Sequence, residues 1–384
     1  MNSQKPEDDK PDSVDQDRRR VVAAVGKGTA AAMAGSVIGA GWSSAARAEE
    51  AEGLRWGIVG TGGIANSMAR SMGVADNTTI AAVSSRRMRS ANAFADEYEI
   101  EHRFDSWAEM AASDVIDAVY VATPTSVREE ICIAAANGGK HVLGEKPFAT
   151  ADSVQRITAA CKAAGVGFMD GTHFPHHPRT SHVQDVMSDE IGWPWSVASA
   201  FQFNLTDRKN IRYNRELEPY GAIGDAGWYN MRAAVEYLSP EVELVSTNAV
   251  LRRDEETGAA ISGSGVMLFD DGSTSTWNCG FDSGGVVMDL RITGGRGVVN
   301  IDNFLSQDPD FSASYQLKRG GWGPNAIRRK ATVNSDKAGS VLMFEDFAAM
   351  VGDQEAIERS MRASLRTQTW LDAAWESALA NENA

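Results

Sequence analysis

The sequence predicts an α/β fold: an N-terminal doubly wound parallel sheet over residues 53–171, then an α+β domain with a large, mainly antiparallel sheet over residues 172–384. Three observations predict it. Short apolar runs and helix-length stretches take turns from Leu54 to Met169. Beyond Met169 the runs lengthen, alternate apolar with polar residues, and follow one another through tight turns. The 384 residues, 43% of them hydrophobic, also supply enough apolar mass for two cores.

Residues 1–48 stand ahead of that fold. Met1 to Asp17 is polar and acid-rich, Arg18-Arg19-Arg20 follows, and Gly28 to Ala46 is uncharged but built mostly of Ala and Gly. Ala46-Arg47-Ala48 then offers a small-x-small cleavage site. Together these read as an export signal, and the paired arginines as the twin-arginine type. Asp17 stands where that pattern usually has Ser or Thr, and Lys27 interrupts the run. The expectation is a periplasmic or otherwise exported protein; the alternative is a disordered extension on a cytoplasmic one. A run so poor in large apolar side chains makes no permanent membrane anchor.

Net charge is −15 and no basic patch stands out, which excludes nucleic acid as a partner. Cys132, Cys161 and Cys279 lie far apart, so neither a zinc site nor a disulfide framework is expected.

In the first domain, the strand Leu54 to Val59 runs into Gly60-Thr61-Gly62-Gly63-Ile64-Ala65 and then a helix to Met72. This is G-x-G-x-x-A between a strand and a helix, the Rossmann dinucleotide-binding turn. Gly60 permits the tight turn, Gly62 lets the backbone approach a pyrophosphate, and Ala65 keeps the helix close to the sheet. A second strand, Thr79 to Val83, ends in Ser84-Ser85-Arg86-Arg87. An NAD site usually has an acid here for the ribose hydroxyls. Two serines and two arginines suit a 2′-phosphate instead, so the expected cofactor is NADP, held by Ser85, Arg86 and Arg87. Read alone, the same residues are a solvated turn before a helix starting near Ser90.

Asp105-Ser106 caps a helix through Ala112, and Asp117 to Thr123 is a buried strand ending at Pro124. Thr123 and Pro124 lie beside the topological switch, on the nicotinamide side. Ile131 to Asn137 is helical, followed by a strand from Lys140 to Leu143. That strand ends in Gly144-Glu145-Lys146-Pro147, where the proline pins the backbone at the sheet's carboxyl edge. A helix from Val154 to Ala164 and a strand from Val166 to Met169 complete the domain.

Four of the six histidines, His173, His176, His177 and His182, follow within ten residues. Two are adjacent and no Cys or well-spaced Glu completes a ligand set, so no metal is expected. The segment crosses between domains and lines the substrate pocket, with His173 and His176 best placed. Five strands follow: Ser196 to Asn204, Ile261 to Phe269, Ser273 to Phe281, Val286 to Thr293, and Val298 to Asp302. Asp270-Asp271-Gly272 and Gly294-Gly295 read as hairpin turns. Phe344 to Met350 and Ala363 to Leu379 close the chain as helices.

A helix from Gly221 to Leu238 carries Asp225 and Tyr229 four residues apart, on one face. Gly224 and Gly227 clear its first turn, as a closely approaching ligand would need. Otherwise Asp225 caps the helix and Tyr229 belongs to the core.

The glycine turn at 60–65, Glu145-Lys146-Pro147 and Asp225-x-Gly227-x-Tyr229, in that order, resemble the glucose-fructose oxidoreductase and inositol dehydrogenase family. The resemblance is nearest to the branch of dimeric dihydrodiol dehydrogenase and NADP-dependent D-xylose dehydrogenase, and covers about residues 54 to 380. One position departs from it: Arg128 stands where many relatives have His. The resemblance implies hydride transfer between NADP and a carbon bearing a hydroxyl or carbonyl, on a sugar or cyclic polyol. Lys146, Tyr229 and Asp225 would be catalytic: Tyr229 as acid/base with its pKa lowered by Lys146, Lys146 bonding the substrate oxygen, and Asp225 holding a hydroxyl or Lys146. Glu145 would orient the loop or meet the nicotinamide ribose. A homodimer or homotetramer is implied too. Export would favour a cofactor recycled in place between two sugars; the alternatives are a single-substrate D-xylose or trans-dihydrodiol dehydrogenase and a non-catalytic NADP sensor or scaffold.

Overall fold

The computed structural model describes residues 53–382 apart from Trp322. The export signal expected over residues 1–48 lies outside the described residues. The first sheet has six parallel strands in the order β3-β2-β1-β4-β5-β6. In chain order its elements are β1 (Leu54–Val59), α1 (Gly63–Met72), β2 (Thr78–Ser84), α2 (Met88–Tyr98), β3 (His102–Phe104), α3 (Trp107–Ala112), β4 (Ala118–Val121), α4 (Thr125–Asn137), β5 (His141–Gly144), α5 (Ala151–Ala164) and β6 (Phe168–Asp170). The strand order reverses between β1 and β4, which places the glycine turn after β1 at the switch point. Ala65 is fully buried, so α1 lies as close to the sheet as that small side chain allows.

After a 3₁₀ turn at Phe174–His176 come α6 (Pro178–Glu190) and β7 (Pro194–Asn204). A second 3₁₀ turn at Ile211–Tyr213 leads to α7 (Gly221–Asp225) and α8 (Gly227–Tyr237). Seven more strands follow: β8 (Leu244–Arg253), β9 (Ala260–Phe269), β10 (Thr274–Gly280), β11 (Asp282–Gly294), β12 (Gly297–Ile301), β13 (Ala313–Arg319) and β14 (Ile327–Val333). They form an eight-stranded sheet with β7, ordered β14-β13-β12-β11-β7-β10-β9-β8. Every pairing is antiparallel except β10 with β7.

The helix expected to run unbroken from Gly221 to Leu238 is two helices meeting at Ala226. Strands β3, β8, β13 and β14 and helix α6 were not expected. The burial of β14 shows why: Arg328, Arg329 and Lys330 are exposed on an edge strand, which leaves no apolar alternation to read.

Two helices end the chain, α9 (Gly339–Met350) and α10 (Gln354–Glu382). Helix α9 returns to the first domain, where Phe344 and Phe347 pack on Trp56 with ring centroids 5.4 and 4.9 Å away. Helix α10 bridges the domains: Gln368 Oε1 accepts from the Phe148 amide at 2.9 Å, and Phe269 stacks on Trp370 at 4.7 Å. Among the described residues no helix is long and apolar enough to cross a membrane.

Candidate active site

The site begins where β5 ends. The Lys146–Pro147 peptide is cis, and the loop is anchored from α4 by Arg128, a buried cation. Its guanidinium donates to the carbonyl oxygens of Pro147 and Thr123 and, at 3.2 Å, to the Thr125 hydroxyl. Arg128 thus ties the end of β4 to the loop after β5, and its wide fork suits two separate carbonyls. Glu145, expected to orient this loop or to meet the nicotinamide ribose, is turned inward. It is 5% exposed, and its Oε1 accepts from the Tyr120 hydroxyl at 2.5 Å. Burial raises its pKa, opposed by Lys146 and the Tyr120 bond. Gly171 packs against the same acid: an added Cβ there would sit 2.9 Å from Oε1.

Lys146 points across to the second domain. Its Nζ donates to both Oδ1 and the carbonyl oxygen of Asp225, each at 2.8 Å. Asp225 has a second cation: Arg212 lies 3.0 Å from Oδ1 and 2.7 Å from Oδ2. Burial works against its ionisation, but the Lys146 and Arg212 charges outweigh it and hold the carboxyl far below the usual range. Asp225 therefore positions Lys146 rather than capping a helix. Gly224 and Gly227, expected to make room for a ligand, serve packing: added Cβ atoms would meet Tyr220 at 2.6 Å and Pro147 at 3.0 Å, or Cys279 at 3.4 Å. The bare backbone of α7 lies against Pro147, and this brings Asp225 to Lys146.

Tyr229 joins them from the first turns of α8, with Lys146 Nζ 4.8 Å above its ring centroid. The lysine thus sits over the ring face with its charge committed to Asp225. Burial, reinforced by Glu145 and Asp225, pushes the Tyr229 hydroxyl well above its ordinary value. This corrects the expectation that Lys146 lowers that pKa. His173 packs beside Tyr229, ring centroids 5.7 Å apart, and burial and the Lys146 charge bring it down to about 4. His176 is directed elsewhere, its Nδ1 lying 2.7 Å from Asp346 on α9. Among the described residues no cluster of His, Cys, Asp or Glu could hold a metal ion.

The cofactor side is set by the turn after β1. Gly60 has φ +106°, and an added Cβ would lie 2.7 Å from the Ala122 carbonyl oxygen. Gly62 and Gly63 have open space where a Cβ would stand, ahead of α1, so a pyrophosphate can reach the amides there. Thr61 and Ser85 hydroxyls lie 3.4 Å apart, joining this turn to the end of β2. Arg86 and Arg87 are exposed and make no ion pair among the described residues, leaving both guanidinium groups available to a phosphate. Ile64 is exposed on the first turn of α1. Thr123 gives its carbonyl to Arg128, and Pro124 is the N-cap residue of α4.

Sequence reasoning missed Arg212 and the anchoring by Arg128. It also missed Glu218, whose carboxylate takes the Thr125 amide at 3.1 Å and hydroxyl at 2.6 Å and so docks the 205–220 loop on α4.

A glycine turn at the switch point of a parallel sheet, facing a lysine, aspartate and tyrosine gathered from two domains, defines the class of two-domain nicotinamide-nucleotide oxidoreductases. Residues 54–172 match the oxidoreductase family with an NAD-binding Rossmann fold, and residues 184–300 match the GFO/IDH/MocA C-terminal domain. The chain is 30% identical over 328 residues, 85% of its length and 97% of the relative's, to D-xylose 1-dehydrogenase (NADP(+)) 2 of Haloferax volcanii. It belongs to the GFO/IDH/MocA oxidoreductase family. In fold it is similar to a 3-ketoreductase from Actinomadura kijaniata in complex with NADP and TDP-benzene, with TM-score 0.76 and 24% identity over 85% of this chain and 98% of that one. Its fold is also similar to an aldose-aldose oxidoreductase from Caulobacter crescentus, with TM-score 0.73 and 23% identity over 86% and 98%.

Proposed function

We propose that this chain is an NADP-dependent oxidoreductase acting on a CH–OH group of a sugar or cyclic polyol. The observation that carries this reading is Lys146 at the carboxyl edge of the parallel sheet, bonded to Asp225 at 2.8 Å and set over Tyr229. Similarity to an NADP-dependent D-xylose dehydrogenase over nearly the whole of that relative supports it. So does the absence of an acid at the end of β2, where Ser85, Arg86 and Arg87 would hold the 2′-phosphate. Gly60 to Ala65 would hold the pyrophosphate. NADP, when bound, supplies the hydride donor and acceptor at the nicotinamide.

The protein's part is proton management and alignment. The Lys146 ammonium and the Tyr229 Oη both donate to the substrate oxygen, and burial keeps Tyr229 protonated near neutrality. The ligand-free site is therefore set to donate a proton, as reduction of a carbonyl requires. In oxidation the site must first release a proton to solvent; the deprotonated Tyr229 Oη then accepts the hydroxyl proton as the hydride leaves. A non-catalytic sensor would need no such pair, so we set that role aside.

Within this reading, two substrates in turn, an aldose oxidised and a second sugar reduced on one retained cofactor, fit an exported protein. A single-substrate D-xylose dehydrogenase is favoured by the Haloferax relative. We propose export through the N-terminal segment and pairing of subunits through the open face of the eight-stranded sheet. The test is direct. Protein purified through gel filtration is assayed for bound NADP and for nicotinamide absorbance changes over a panel of aldoses and inositols. Lys146→Met is expected to retain NADP and lower turnover by about 10²-fold or more, and Tyr229→Phe by a smaller factor; full turnover in Lys146→Met overturns the assignment.

A further inference from the structure

Beyond Tyr229 the aromatic rings do not stop. Phe201 on β7 meets the Tyr229 ring edge-on at 5.5 Å and 84°. Phe203, two residues on and so on the same face of the strand, lies 5.3 Å from Phe201 at 34°. It meets Phe281 at 5.2 Å, which in turn meets Tyr213 at 6.2 Å. Tyr213 directly follows Arg212, and Arg212 leads back through Asp225 to Lys146. The contacts close on themselves, charged along one half and aromatic along the other.

The aromatic half is unevenly covered. Phe281 and Tyr213 are 1% and 8% exposed, as ordinary core residues are. Phe201 and Phe203 stay half-buried, although both stand on the face of β7 that packs against the helices. Rings left part-open on that face are available to a ligand, and a sugar ring suits them: its C–H face lies on an aromatic ring while its hydroxyl edge meets charged and polar groups. One such ring is served by Tyr229 with Lys146 and Asp225. Phe201 and Phe203 lie one and two ring-steps further along β7, 5.5 Å from Tyr229 and a further 5.3 Å on.

We propose that Phe201 and Phe203 form a second sugar-ring subsite, so that the substrate is a short oligosaccharide or glycoside rather than a free monosaccharide. This rests on the functional reading above and narrows its substrate class. The occupant of the subsite is neutral, because the cations beside the aromatic half are already paired, Arg208 near Tyr213 with Asp254 and Arg252 near Phe281 with Asp282, as Arg212 is with Asp225.

Steady-state kcat/KM with NADP for xylose against xylobiose, and for glucose against cellobiose, tests the subsite. The disaccharides are expected to be preferred by about tenfold, and Phe203→Ala to remove that preference. Phe203→Leu, which keeps an apolar side chain at the site, is expected to retain part of it. NADP binding and the unfolding midpoint are followed in each variant; if Phe203→Ala does not fold, the wild-type ratio and Phe203→Leu decide. Turnover with no preference for disaccharides, or equal losses on both sugar sizes in the variants, overturns the subsite alone. No turnover of any of the four overturns the subsite, and no turnover across the wider aldose and inositol panel by protein that holds NADP overturns the functional reading with it.

Discussion

Asp170 and Arg232 are a charged pair with almost no water around them. Asp170 Oδ2 accepts from Arg232 Nη1 at 2.6 Å and from the Ser364 hydroxyl at 2.6 Å, while its other oxygen takes the Thr172 hydroxyl. Burial opposes the charge on Asp170, but Arg232 and the hydroxyls prevail and lower its pKa. Asp170→Asn leaves Arg232 buried with Glu236 as its remaining acid, and should cost about 3–5 kcal/mol in urea unfolding. His173 titrates in the opposite sense to a paired histidine. Folded, it stays neutral down to about 4, whereas its ordinary value is 6.5. The unfolded chain therefore binds the proton first, and stability falls as pH drops from about 6.5 towards 4, then no further on its account. His173→Gln should flatten that part of the stability–pH curve, measured by the urea midpoint at stepped pH. Lys146, Asp225 and Tyr229 were legible because they stand in short, ordered motifs. Arg212 and Arg128 were not, since nothing local marks a partner 13 or 19 residues away across a turn of the fold.

At the scale of elements, the turn between β1 and α1 separates two uses of glycine. Gly60 is required by the backbone, with φ +106° and the Ala122 carbonyl 2.7 Å from any Cβ. Gly62 has φ −80° and open space, so the chain itself would accept a side chain there. Gly60→Ala is expected to lose about 1–3 kcal/mol of stability. Gly62→Ala is expected to stay within about 1 kcal/mol of the parent yet to bind NADP about tenfold more weakly, by fluorescence titration, because only the cofactor needs that space. Strand and helix alternation was legible here because each buried strand is a compact apolar run bounded by turn residues. Some later strands were not legible at all: β13 and β14 carry Lys318, Arg328 and Lys330, and β8 presents Val245 and Val250 to solvent. An edge strand is specified by its neighbour's unpaired backbone as much as by its own pattern.

For the whole molecule, one face of the eight-stranded sheet is covered by helices and the other is open. The open face carries Val250, Val266 and Leu268, 53%, 42% and 41% exposed, beside Asp289, Arg291 and Lys318. Apolar residues bordered by charges of both signs suit a second copy of the same surface. If subunits pair through this face as proposed, Val266→Glu puts a new charge into the seam, and sedimentation velocity should show a dimer converting to monomer, with NADP still bound.

The return of α9 to Trp56 also governs the order in which the molecule can be finished. A ribosome delivers β1 first, but the rings that cover Trp56 belong to Phe344 and Phe347, almost three hundred residues later. Until α9 emerges, the nascent first domain lacks the two rings that pack on Trp56, and Asp170 lacks the Ser364 hydroxyl. Synthesis is vectorial, yet the last helices are what seal the earliest strand, so the chain reaches its full stability only on release. A cofactor added before that point would meet an unsealed sheet.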